Sequence, residues 1–108
     1  MANAYKVLGQ LADASANDVT LIADQDGQTI VSSIVIANRE AATNTFRIAV
    51  RPGGATLANE HYIAYDSDVL ANDSITLTLG ITLADNDIIT VGASDANVSF
   101  SAFGTVIT

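Results

Sequence analysis

Apolar and polar residues alternate along this chain with a period of two, and no segment carries a helical stripe. The cleanest case is residues 74–81, where Ile75, Leu77, Leu79 and Ile81 share one face and Thr76 and Thr78 the other. Residues 45–51 alternate as well, with Phe46, Ile48 and Val50 opposed to Arg47, Ala49 and Arg51. Ile34, Val35 and Ile36 form an unbroken β-branched run, which predicts a strand covered on both faces. Residues 33–54 therefore predict a hairpin, with a polar loop from Asn38 to Asn44 and a hard stop at Pro52-Gly53-Gly54. Further strands are predicted at residues 5–11, 19–23, 29–37, 61–65, 87–93 and 97–107. Asp24-Gln-Asp-Gly27 and Asp85-Asn-Asp87 punctuate them as turns. Residues 55–60 suit a loop or one helical turn, and residues 66–73 a connection with Val69 and Leu70 tucked inwards.

Eight short strands separated by Asp, Asn and Gly are the pattern of an all-β, single-domain β-sandwich. Jelly-roll and immunoglobulin-like topologies both satisfy it. The strands do not repeat one another, which excludes a solenoid or propeller, and nothing divides residues 1–108 into two domains. Residues 74–81 carry only Ser, Thr, Gly and aliphatic side chains, so this strand is expected to be central or covered by a neighbour.

Composition narrows the employment of such a sandwich. The chain is 49% hydrophobic and only 15% charged, well below the usual charge content of a soluble domain. Its small polar surface favours a homo-oligomer, trimer or dimer, over a free monomer. The net charge of −8 argues against nucleic acid and against anionic membrane surfaces as partners. With no cysteine there is no disulfide, thiolate nucleophile or zinc–thiolate site. The start of the sequence lacks a signal-peptide pattern and no apolar run reaches membrane-span length, so cytoplasmic synthesis without secretion is expected. The two Asn-x-Ser sequons, at Asn72 and Asn97, have no meaning without secretion.

Candidate chemistry is sparse. His61 is the single imidazole, beside Glu60, and could serve as a base oriented by a carboxylate; an edge histidine with no catalytic part is the plainer reading. No serine sits in a Gly-x-Ser-x-Gly elbow, and no catalytic residue or cofactor is assigned. Three Asp-x-Asp pairs, Asp24/Asp26, Asp66/Asp68 and Asp85/Asp87, could converge on a hard cation, which makes them calcium candidates. The first opens like an EF-hand loop but has Val35 where the twelfth-position Glu belongs; Asx-turns at strand ends are the plainer reading of all three. Paired acids of a glycosidase usually come with sugar-stacking aromatics, and this chain has no Trp and three Tyr. Arg39, Arg47 and Arg51 put three of the four basic residues within residues 33–54, where they could pair with an acidic neighbour. With Tyr62 and Tyr65 they form the set of interface candidates, Arg47 and Arg51 being expected to face a partner.

Six blocks carry a resemblance: Tyr5-Lys-Val-Leu-Gly-Gln10, residues 31–39, residues 45–52, Glu60-His-Tyr-Ile-Ala-Tyr-Asp66, residues 72–83 and Ser99-Phe-Ser-Ala-Phe-Gly104. Together they resemble small β-rich virion structural proteins of tailed bacteriophages, notably of cyanobacterial and other aquatic phages. The resemblance spans nearly the whole chain and consists of strand cores, so it implies fold and membership without a mechanism. It implies a virion location and partners such as a major capsid or tail protein. The expected role is a non-enzymatic decoration or cement protein; the alternative is a neck, tail or baseplate component that binds a receptor or glycan.

Overall fold

The computed structural model describes residues 3–23 and 27–107. Eight strands follow in order: β1 (Asn3–Leu11), β2 (Val19–Ile22), β3 (Gln28–Asn38), β4 (Asn44–Arg51), β5 (Tyr62–Val69), β6 (Ser74–Leu83), β7 (Ile88–Ala93) and β8 (Val98–Ile107). Single 3-10 turns at Pro52–Gly54 and Asn59–His61 are the one helical feature among the described residues. Two four-stranded antiparallel sheets result, ordered β1-β8-β3-β6 and β2-β7-β4-β5.

The pairing is nested. The first strand pairs with the last, β2 with β7, β3 with β6, and β4 with β5. A long antiparallel ribbon folded at the β4–β5 connection and rolled so that β3 meets β8 and β4 meets β7 gives this order. That is the jelly roll, and the immunoglobulin-like alternative falls, because there the strands divide between sheets in a different order. The expected hairpin within residues 33–54 is corrected for the same reason: β3 and β4 lie in different sheets and do not pair.

Side chains from the two inner faces fill the space between the sheets. Val31, Ile34 and Ile36 of β3 and Val98, Phe100 and Ala102 of β8 meet Phe46 and Ile48 of β4 and Ile89 and Val91 of β7. Phe46 and Phe100 cross the gap edge to face, with ring centroids 6.4 Å apart. Each such fully buried aliphatic or aromatic side chain contributes about 1.5–3 kcal/mol by leaving water. On β3 the inward parity changes at Ser32-Ser33, where the register slips against both neighbours, so that Thr29 and Val31 point inwards before it and Ile34, Ile36 and Asn38 after it. Val35 is half-buried on the outer face, so this run is not covered on both sides as expected.

Two further expectations change at β5 and β6. The acidic stretch after Tyr65 is strand rather than connection: β5 runs to Val69, with Asp66 at φ 52 and the register against β4 slipping beside it. Val69 is fully buried as expected, while Leu70 is 59% exposed. β6 has the predicted alternation, but it is an edge of its sheet and not a central strand.

Candidate functional site

The jelly-roll connections gather the chain's polar chemistry in two places, one end of the sandwich and the outer face of the β2-β7-β4-β5 sheet. At the end, the β1–β2, β3–β4, β5–β6 and β7–β8 connections meet. The Arg39 N–H donates to Asn97 O at 2.9 Å and the Asn72 N–H to Glu40 O at 2.9 Å. Asn38, only 3% exposed, is the hub. Its amide nitrogen donates to the carbonyls of Ala42, Val69 and Leu70, while its Oδ1 accepts from the Glu40 N–H and the Asn44 amide. An amide is the one neutral side chain with donors and acceptor enough for that position. Nothing in the sequence marked Asn38 beyond its place at the end of an apolar run.

Beside this hub two carboxyl groups meet. Interaction with the Asp95 carboxyl, together with desolvation, raises the Glu40 pKa above its ordinary value, and Glu40 Oε2 is buried without a hydrogen-bond partner. The same interaction, with the Asn97 N–H donated to Asp95 Oδ1, lowers the pKa of Asp95. Two interacting carboxyl groups favour sharing one proton over carrying two charges.

On the outer sheet face Arg47 of β4 makes a fork to Asp66 of β5, with Nε 2.7 Å from Oδ1 and the second nitrogen 3.2 Å from Oδ2. Its guanidinium also lies 4.2 Å from the centroid of the Tyr65 ring. The pairing holds the Asp66 carboxyl below its ordinary pKa and raises that of Arg47. Tyr62 abuts Tyr65 edge to face at 4.9 Å. A shallow groove of about 500 Å³ runs along Asn59, Tyr62 and Tyr65. A second hollow of about 370 Å³ is lined by Asn17, Thr45, Phe46, Arg47, Asp66, Ala93 and Ser94.

The sequence-flagged cations are thus occupied within the chain. Arg51 Nε donates to Ala55 O at 2.7 Å and another of its nitrogens lies 3.7 Å from Asp18. Arg39 clamps connections by donating to the carbonyls of Ala12 and Ala96. Arg47 and Arg51, expected to face a partner, have guanidinium groups that are bonded within the chain and partly exposed. His61 is likewise committed, since its Nδ1 accepts the Ala58 N–H at 3.0 Å and closes the 3-10 turn. The turn is what holds Asn59 next to Tyr62.

Two of the three acidic pairs lie among the described residues. Asp66 sits in the Arg47 fork and Asp68 follows on β5. In the β6–β7 turn, Asp87 accepts from the N–H groups of Gly53 and Ala84, tying this turn to the one after β4, with Asp85 exposed beside it. Asp24 and Asp26 lie outside the described residues. Among the described residues no group of three or more His, Cys, Asp or Glu side chains is placed to hold a metal ion. Nor is any helix among them long and apolar enough to cross a membrane.

No family model matches the chain, and no curated protein does. Among solved structures, the fold is similar to a chain in a structure of infectious bursal disease virus, Gx strain, with a TM-score of 0.48 and 13% identity. The likeness covers 97% of this chain and 32% of that one, so this chain spans about a third of its length.

Proposed function

We propose that this chain is a non-enzymatic structural subunit of a tailed-phage particle, a decoration or cement protein that stabilises the shell by binding it and by associating with its own kind. The observation that carries this reading is where the chain leaves large apolar side chains in water. Among the described residues, four of the six exposed large apolar side chains lie on the flanks of the sandwich: Tyr5 (81% exposed) and Val7 on edge strand β1, Ile63 and Tyr65 (57% exposed) on edge strand β5; Ile30 is on inner strand β3 and Leu70 in the β5–β6 connection. Side chains of this size on sheet edges favour lateral neighbours. The groups that could do chemistry, His61, Arg47 and Asp87, are meanwhile spent on holding turns and strands. Jelly rolls recur in viral capsids, lectins and cupins, so the fold is compatible with the reading and does not select it.

Binding to a shell stabilises by mass action. Adding purified protein to particles stripped of it should restore co-sedimentation and raise the temperature at which they release their contents. A protein that neither co-sediments nor changes heat resistance would exclude the decoration role.

The groove along Asn59, Tyr62 and Tyr65 favours a second reading, glycan or receptor binding in a neck, tail or baseplate component. It offers an exposed aromatic ring with amide and carboxylate groups nearby. A glycan screen in which Tyr65→Ala abolishes a signal seen with the native chain would support it.

A further inference from the structure

The four sheet edges of this molecule are not equally defended. An edge strand offers unpaired N–H and C=O groups to any passing strand, and proteins blunt it by shortness, charge, proline or irregularity. β2 is four residues long. β1 carries Lys6 and slips register between Val7 and Gly9. β5 carries Asp66 and Asp68, slips register twice against β4, and has the positive φ of Asp66. β6 has ten residues with no charge and no proline. Its one slip against β3 falls between Thr78 and Ile81, which leaves Ser74 to Thr78 in unbroken register with Ala37 to Ser33. Along this strand Ile75, Leu77, Leu79 and Ile81 pack on the core yet stay half-buried, a row of aliphatic groups partly open to water.

We infer that the residues from Ser74 to Thr78 pair antiparallel with the same segment of a second copy, about a two-fold axis at Thr76, joining two four-stranded sheets into one of eight. The inference rests on the self-association in the function proposed above and names its surface. The segment is its own complement. With Thr76 opposite Thr76, Ile75 of each copy lies opposite Leu77 of the other on the inner face, and Ser74 opposite Thr78 on the outer. That self-complementarity points to a second copy as the occupant, and charge at this edge permits it. Two chains of net −8 repel, and this edge is one along which they can meet without bringing acids together. The nearest acid, Asp73, would sit opposite Leu79 of the other copy. The two Asp73 residues are then six strand positions apart, about 20 Å, beyond the roughly 8 Å screening length at physiological salt. A five-residue pairing is small beside a standard interface, so in dilute solution the dimer is weak; a shell that holds copies side by side raises their effective concentration.

The absence of cysteine makes the test clean. Single Thr76→Cys and Lys6→Cys variants of the full chain, treated with a short bifunctional thiol reagent, report which edges meet. Thr76→Cys should give covalent dimers and Lys6→Cys alone should not. Thr76→Lys, at an exposed position, should weaken self-association at least tenfold in sedimentation velocity from micromolar to millimolar, with the melting temperature unchanged. Cross-linking only in a mixture of Thr76→Cys and Lys6→Cys would mean head-to-tail β1–β6 pairing and overturn the inference. Association that persists unchanged in Thr76→Lys, without Thr76→Cys dimers, would overturn the edge assignment and leave self-assembly standing. A native chain monomeric at every concentration, with no Thr76→Cys dimers, would overturn both.

Discussion

Asn38 shows how much of the end of this sandwich hangs on one side chain. Replacing it by Ala leaves the buried carbonyls of Val69 and Leu70 without its donors and the Glu40 N–H without its acceptor. The expected cost is about 3 kcal/mol, measured by denaturant unfolding, because each orphaned buried group costs about 1–3 kcal/mol. Thr29 presents the opposite case: its Oγ1 is buried without a hydrogen-bond partner. Thr29→Val keeps the shape and removes the orphan, so stability should rise by about 1 kcal/mol. The Glu40–Asp95 pair gives a pH signature. The Glu40 pKa is raised in the folded chain, so its contribution is complete below its ordinary 4.5 and is lost as pH rises through the folded value. Asp95 is lowered and contributes the other way, losing its share as pH falls below its ordinary 3.8. Glu40→Gln removes the second charge. Its melting temperature should exceed the native value at pH 7, with the gap closing towards pH 4. A constant gap across that range would contradict the shared proton.

At the scale of elements, the strands were legible in the sequence and their partners were not. Strand existence is a local matter: Ile75, Leu77, Leu79 and Ile81 at period two require an extended chain whatever lies beside it. Pairing is decided by segments far apart in sequence, as when Asn3 meets Ile107, and local pattern does not encode it. Adjacent β3 and β4 therefore read as a hairpin, although the chain crosses between sheets from one to the other. Irregularities were hidden for a similar reason. The acids of β5 read as a turn because Asp favours turns; Asp66 does take a left-handed conformation, but within a strand, where it opens a bulge that brings its carboxylate to Arg47. Arg47, Tyr62 and Tyr65 come together in one cluster on the outer sheet face, joined by contacts that the sequence pattern does not encode. Gly104 is a positional requirement of the same kind: a Cβ there would collide with the carbonyl of Ile30 on the neighbouring strand. Gly104→Ala should lower stability by about 1–3 kcal/mol, since backbone cannot yield as a flexible side chain does. Gly80→Ala, with open space around it, should stay within about 0.5 kcal/mol and serve as the control.

For the whole molecule, a nested jelly roll carries most of its exposed large apolar side chains on its flanks. Low charge content and Asp-rich connections set its surface, and the sequence made both plain. What it left dark was location on the molecule, because an exposed edge and a buried central strand share one alternating pattern; β6 is the example. The proposed role, a repeated structural part of a phage particle, can be seen or missed by electron cryo-microscopy of the intact source particle. The expected result is an eight-stranded density matching this jelly roll at regular, symmetry-related positions on the outside of the shell. A shell with no such density, in particles shown by mass spectrometry to lack the protein, would contradict it.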